Sequence, residues 1–362
     1  MKTGITLEQL AKRIDDDQMN KRDFVADTRS LTLHSGPDDD GPWSRLDLDG
    51  IGDFAVTDHT HGQIAARLKI PKLYYDRMRI DAPDLLDQNV NQWLDSTGEN
   101  RLIRTLGGDA RAFLSDRYRT IDNAMIAEAI LPVLNEPSVE QYEIRSANVS
   151  DAKMAIKVTF PHLRAEIPRV GDVVEAGLMF GNSEIGLGRM LIDLMTFTLA
   201  CLNGMIVSGG SVRRAHLGRS IGGEDGDGAH EYFSDETRAA DDRALVLKVQ
   251  DTVRGFLNDR AAFDQIVAKL DRATQNDITG SVEQIVERVA ADAGMNDDER
   301  GSVLAHLIRG GNLTQYGLAN AVTRASADVV DYDRATQLEA AGGRIIELPQ
   351  KSWEQVVRPS RN

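Results

Sequence analysis

Hydrophobic residues first recur at helical spacing at Leu7, Leu10, Ala11 and Ile14, which predicts a short amphipathic helix near the start of the chain. The spacing then changes to alternation in "RSLTLHS" (29–35) and "RLDLDG" (45–50), two expected strands separated by the turn-rich "GPDDDGP". A helix is expected from about Thr57 towards Ile70, where Pro71 should end it, because proline disfavours helical backbone in the residue before it. Leu85, Leu86, Val90, Trp93 and Leu94 form the stripe of another helix.

The middle of the chain changes period again. "RLIRTL" (101–106) and "RAFLSD" (111–116) flank a Gly-Gly turn and predict a β-hairpin. Met125, Ile126, Ala129, Ile130 and Val133 then mark a helix ending before Pro137. "EQYEIRSANVS", "DAKMAIKVTF" and "DVVEAGLMFGNS" read as three successive strands, with Met154, Ile156 and Val158 on one face. In the apolar stretch 190–207, Leu191, Leu194, Met195, Thr198 and Leu202 fit a helix closed by Gly204, although its β-branched and aromatic content also suits a strand. A helix is the expectation there.

Beyond a Gly- and acid-rich segment at 222–236, expected to be mobile, helical stripes dominate. Leu245, Val249, Val253 and Phe256 form one. Ser281 with Gln284 makes a capping-box signature ahead of Val282, Ile285, Val286 and Val289. Leu304 and Leu307 belong to a further helix, and "YGLANAVTRASADVV" to another. The pattern as a whole predicts an α+β fold: an antiparallel sheet, made of a hairpin plus a three-stranded meander, is packed by helices and followed by a helical C-terminal region. The expected division is an N-terminal preamble (1–50), an α+β core domain (51–275) and a helical region (276–362) serving packing or subunit contact.

Composition narrows the function classes. The 362 residues carry a formal net charge of −15, which argues against indiscriminate attraction to nucleic acid or anionic lipid. A local basic groove stays compatible with that total, since screening confines each charge to roughly 8 Å at cellular salt. A single cysteine, Cys201, leaves no internal disulfide and suits a reducing cytoplasm. Acidic residues interrupt the first eighteen residues, so no apolar signal segment is read there. Asp193, Asn203 and Gly204 interrupt the stretch 190–207, which reads as core rather than as a membrane span.

Few residues invite catalytic chemistry. Cys201 with His216 would make a nucleophile and base, but a cysteine in an apolar run is more often a small core residue. His59 and His61 stand two apart, not the three or four that place metal ligands on one helix face. "GNSEIGLGR" (181–189) lacks the Lys-Ser/Thr that completes a phosphate loop. No catalytic residue, cofactor or metal is expected.

The arginines are the stronger signal. Arg101, Arg104, Arg111, Arg117 and Arg119 stand against only Asp109 and Asp116 between them. Arg189 opens the stretch 190–207, and Arg213, Arg214, His216 and Arg219 follow in an interval free of acids from Asp193 to Glu224. Guanidinium groups bind phosphate in bidentate fashion, and Tyr118 between two of them offers a stacking face for an unpaired base. The competing reading is that these arginines pair with the chain's many carboxylates and that Phe113 and Tyr118 are core.

"RAFLSDRYRTIDN" (111–123), "GNSEIGLG" (181–188), "CLNGM" (201–205), "RRAHLG" (213–218) and "NAVTRASADVVDYDRATQLEAAGG" (320–343), in that order, resemble the phage/plasmid-like protein family, whose core is known as a domain of unknown function. The resemblance covers roughly residues 50–350. It implies a protein of phages, prophages and conjugative plasmids, found alongside DNA-processing genes, with no established enzyme activity. A remoter similarity is to single-strand annealing recombinases, and it implies a homo-oligomer, a ring or filament, holding single-stranded DNA in a basic groove. The expectation is therefore a cytoplasmic single-stranded DNA-binding protein assisting annealing or recombination, through Arg101, Arg104, Arg111, Arg117, Tyr118, Arg119, Arg189, Arg213, Arg214, His216 and Arg219. A mobile-element regulatory or anti-defence protein that binds a host protein is the rival expectation, followed by an enzyme using Cys201 and His216.

Overall fold

The structure, a computed structural model, describes residues 1–37, 41–136, 139, 141–214, 235–258 and 260–358. Two sheets organise the chain. The first collects β1 (Lys21–Asp27), β2 (Leu31–Gly36), β3 (Trp43–Leu48), β4 (Gly52–Val56), β5 (Asn100–Leu106) and β6 (Asp109–Ser115) in the order β1-β5-β6-β4-β3-β2. Its neighbours are antiparallel except β4 and β6, which run parallel. Strands from residues 1–50 and 51–115 thus share one sheet, which crosses the division expected at residue 50.

Alternation explains the packing of this first sheet. Leu31, Leu33, Leu46 and Leu48 are all buried, and the residues between them point the other way. They pack with Ile103, Ala110 and Phe113 against α2 (Asp58–Arg67), α3 (Lys72–Asp81) and α4 (Pro83–Thr97). The stripe expected on α4 buries Leu86, Val90 and Leu94. It leaves Leu85 and Trp93 largely exposed.

The second sheet is an antiparallel meander of β7 (Glu143–Val149), β8 (Met154–Ile167), β9 (Asp172–Asn182), β10 (Met190–Thr198) and β11 (Asn203–Arg214). It is covered by α1 (Leu7–Asn20), α5 (Asn123–Leu134), α6 (Asp235–Asn258) and α7 (Ala261–Ala273), with α8 (Val282–Asp292), α9 (Asp297–Gly310), α10 (Gln315–Ala325), α11 (Tyr332–Glu347) and α12 (Gln350–Val357). Residues 154–160 of β8 and 174–182 of β9 are all buried, as expected for central strands covered on both faces. The mixed α+β class and the helical C-terminal region agree with the sequence pattern, but the expected hairpin (β5–β6) lies in the first, mixed sheet and does not join the meander.

One element is corrected. Residues 190–207 do not form a helix but parts of β10 and β11, joined by a turn at 199–202. Met195, Thr196 and Phe197 pair with Ile206, Met205 and Gly204. Both faces of β10 are buried, so its apolar residues lack the alternation that marks a half-exposed strand, and a helical stripe can be drawn through them. Helices α3, α7, α11 and α12 and strands β1 and β4 are also absent from the sequence expectation. The mobile segment expected at 222–236 lies outside the described residues as far as 234.

The first sheet's helices also contain a pH-sensitive contact. His61 is buried, with Nδ1 2.8 Å from the Tyr75 hydroxyl. Burial, reinforced by Arg79, lowers its pKa from 6.5 to about 4, although Asp58 and Asp76 oppose the shift. The unfolded chain therefore binds the extra proton first, and stability falls as pH drops from 6.5 to 4. The span corresponds to about 3 kcal/mol. Urea unfolding of the wild type and His61→Gln across that window should show the loss only in the wild type. An equal slope in both would remove His61 as its cause.

Candidate functional site

The arginines expected to act together divide into two sets. Arg104 on β5 is 0% exposed. Its Nε donates to Asp23 Oδ1 at 2.9 Å, one terminal nitrogen to Asp122 Oδ1 at 2.8 Å, and the other to the Glu184 carbonyl at 2.9 Å. Burial opposes its charge, but Asp122 and Asp23 outweigh that and hold the guanidinium above its ordinary pKa. Arg111 on β6 donates to Glu184 Oε2 at 2.6 Å. Arg119 is ion-paired with Asp241 and Asp242 of α6. Arg101 lies over the Phe113 ring at 4.8 Å, and desolvation lowers its pKa to about 10.

These four correct the expectation of a row of arginines facing solvent. Each guanidinium holds a contact within the fold, and Arg104 has no surface to offer a phosphate. The pairing of arginine with internal carboxylates, the bland alternative, describes Arg104, Arg111 and Arg119.

The network around Arg104 joins the two sheets and draws together the sequence motifs. Lys21 on β1 lies 2.8 Å from Asp122 and 3.6 Å from Glu184. Glu184 Oε1 accepts from the Asn123 backbone at 2.7 Å, and the Asn182 side chain donates to the Ile121 carbonyl and to Asn123 Oδ1. "RAFLSD", "TIDN" and "GNSE" are therefore one buried polar cluster. Three cations, Lys21, Arg104 and Arg111, meet three carboxylates, Asp23, Asp122 and Glu184. Such pairing is what makes buried charge tolerable.

"CLNGM" and "NAVTR" meet in a second cluster. Asn203 donates to Asn320 Oδ1 at 3.1 Å and lies 2.5 Å from Thr323 Oγ1. Gly343 on α11 packs directly on β11: a Cβ there would stand 1.8 Å from the Ile206 carbonyl oxygen, so only glycine allows the approach. Beside it, Lys157 of β8 reaches into the helices. Its ammonium lies 2.7 Å from Glu339 Oε2, an ion pair off the hydrogen-bond direction, and donates to Thr336 Oγ1 at 2.8 Å. Both side chains of this pair are 0% exposed.

The second set lies around the loop 183–189. The Tyr118 hydroxyl donates to the Ser183 carbonyl at 3.3 Å. Gln63 donates to the Ile185 carbonyl at 2.9 Å, and His59 Nε2 lies 2.8 Å from the same oxygen. Gly186 has φ +83°, and a Cβ there would come within 2.9 Å of Leu114, so the loop sits flat on the 114–118 turn. Arg117 in that turn and Arg189 at the loop's end are exposed. Immediately after Arg189, Met190 pairs with Arg214 and Leu191 with Arg213. Two segments about ninety residues apart thus meet at one end of the second sheet. Tyr118 is half-buried, and burial raises its hydroxyl pKa above the ordinary value. His216 and Arg219 lie outside the described residues.

Among the described residues no cluster of His, Cys, Asp and Glu could hold a metal ion, and no helix is long and apolar enough to cross a membrane. Cys201 is a free, half-buried thiol in the β10–β11 turn, and its proposed partner His216 is not described. The chain matches no family model, no curated protein and no solved structure.

Proposed function

We propose that the protein binds single-stranded DNA along the margin formed by Arg117, Arg189, Arg213 and Arg214, with Tyr118 at its inner edge, and assists strand annealing or recombination. The observation that supports this reading is the meeting of the 117–118 turn, the 183–189 loop and the end of β11 at one sheet end, within an otherwise acidic chain. Arginine suits this role because it contacts phosphate without reading sequence. In this reading the internally paired arginines Arg101, Arg104, Arg111 and Arg119 take no part in contact. Assembly into a homo-oligomer and a cytoplasmic setting belong to the same proposal.

The test is equilibrium binding of a fluorescent single-stranded oligonucleotide across a salt series, with native mass spectrometry of the same samples. Four phosphate contacts should give a log-log salt slope of about −2.8, at about 0.7 per contact. Sequence should matter little, and the oligonucleotide should bind an oligomer. Absence of binding at low salt would contradict the proposal, and a host-protein binder would behave in that way.

A further inference from the structure

A separate groove of about 550 Å³ lies where the α2–α3 turn faces α4, within the size range of small-ligand sites. Its walls include Arg67, Lys69, Tyr74, Asn89, Trp93 and Thr97. We propose that this groove binds a nucleotide unit, a planar base carrying a phosphate, supplied either as a free mononucleotide or by a single strand.

Three features point to that chemistry. Trp93 is 51% exposed and Tyr74 44% exposed, so two aromatic side chains that could be core instead line an open groove. Aromatic faces at a groove accept flat bases of any sequence. Lys69 is exposed and makes no ion pair among the described residues, whereas Arg67 is neutralised by a bidentate pair with Glu99. The groove therefore has one uncommitted cation, which favours an anionic ligand. Asn89 Oδ1 is buried without a hydrogen-bond partner, and a base-edge N–H would satisfy it.

The backbone at Lys69 adds a fourth observation. Helix α2 closes with Ile70 N–H donating to the Ala65 carbonyl at 2.9 Å and Lys69 N–H to Ala66 at 3.3 Å. This is the Schellman ending, in which the left-handed residue is usually glycine. Here it is Lys69, at φ +56°. A lysine standing where glycine would be easier points to a use for its side chain. The ammonium is then the phosphate partner, and the strained turn fixes where its stem begins.

This site is independent of the arginine margin and can be tested alone. Lys69→Gly removes the cation while relieving the backbone, so the variant should fold at least as well as wild type. Trp93→Ala removes one stacking face. Titration calorimetry with deoxyadenosine monophosphate should show saturable binding by the wild type. Deoxyadenosine and inorganic phosphate should each bind at least tenfold more weakly. Lys69→Gly should reduce nucleotide affinity to the nucleoside level, and Trp93→Ala should weaken nucleotide and nucleoside alike. A variant with Arg117, Arg189, Arg213 and Arg214 all changed to Ala should bind the mononucleotide as wild type does. If the mononucleotide fails to bind but a short oligonucleotide binds in a manner lost in both groove variants, the strand is the source. Absence of binding by both probes, or affinities unchanged in folded Lys69→Gly and Trp93→Ala, would overturn the proposal.

Discussion

Arg104→Met should destabilise the protein by about 3–5 kcal/mol, because removing one partner leaves buried charge uncompensated. Arg104 bonds Asp23, Asp122 and the Glu184 carbonyl together, and methionine keeps its bulk but none of its donors. The pH dependence distinguishes charge from packing. In the wild type, burial tends to raise the Asp122 pKa, but Arg104 and Lys21 prevail and hold it low. A depressed carboxyl stabilises the fold above its unfolded pKa, and that contribution is lost as pH falls through the folded value. Without Arg104 burial should dominate and move Asp122 upward. The variant then gains a proton on folding, so its deficit relative to wild type should narrow on acidification. Denaturant unfolding at several pH values measures both effects. A cost below about 1 kcal/mol, or a deficit independent of pH, would show that the network is not electrostatically coupled.

Lys157→Met should carry a cost of the same order, about 3–5 kcal/mol, and act at the other end of the fold. Lys157 and Glu339 are fully buried and tie β8 to α11, where Ser326 and Thr336 complete the polar contacts. The lysine lies 4.7 Å from the Tyr332 ring centre, which adds a cation–π contact. The paired replacement Lys157→Met with Glu339→Leu should recover most of the loss, since it removes both desolvated charges together. A double variant as unstable as the single one would assign the effect to packing. Loss of the α10–α11 contacts in Lys157→Met should also appear as faster amide exchange in those helices.

Much of the fold was legible in the sequence where one face of an element is exposed. The α6 stripe Leu245, Val249, Val253 and Phe256 is buried as read. The hairpin of "RLIRTL" and "RAFLSD" pairs as read, with Leu102 opposite Leu114. The N-cap at Ser281 accepts from Gln284 N–H. Legibility failed where burial is two-sided. β10 buries Leu194 and Met195 alike, which erases the period of two. Strand β1, with Lys21, Arg22 and Asp23 leading it, presents charge rather than alternation, and its lysine and aspartate serve the buried network.

The candidate site was legible only in part, for a related reason. An arginine that faces solvent and one that faces Asp122 look alike in a linear sequence. What buries Arg104 is the fold, which brings Asp23 from eighty-one residues away. The excess of positive charge between Asp193 and Glu224 singled out Arg213 and Arg214, which the register of β10 and β11 pairs with Leu191 and Met190. The groove at Lys69 left little trace. Its one sequence signal is a lysine, where glycine is usual, at the end of the α2 stripe ahead of Pro71.

The division of the arginines is tested most directly by single-stranded DNA affinity in two folded variants measured side by side at one salt concentration. One variant carries Arg117, Arg189, Arg213 and Arg214 changed to Ala. The other carries Arg119→Ala alone, which removes a guanidinium held by Asp241 and Asp242 in the same sequence segment. The account predicts loss of binding in the first, with its salt slope falling towards zero, and near-wild-type affinity and slope in the second. Wild-type affinity in the fourfold variant would contradict it.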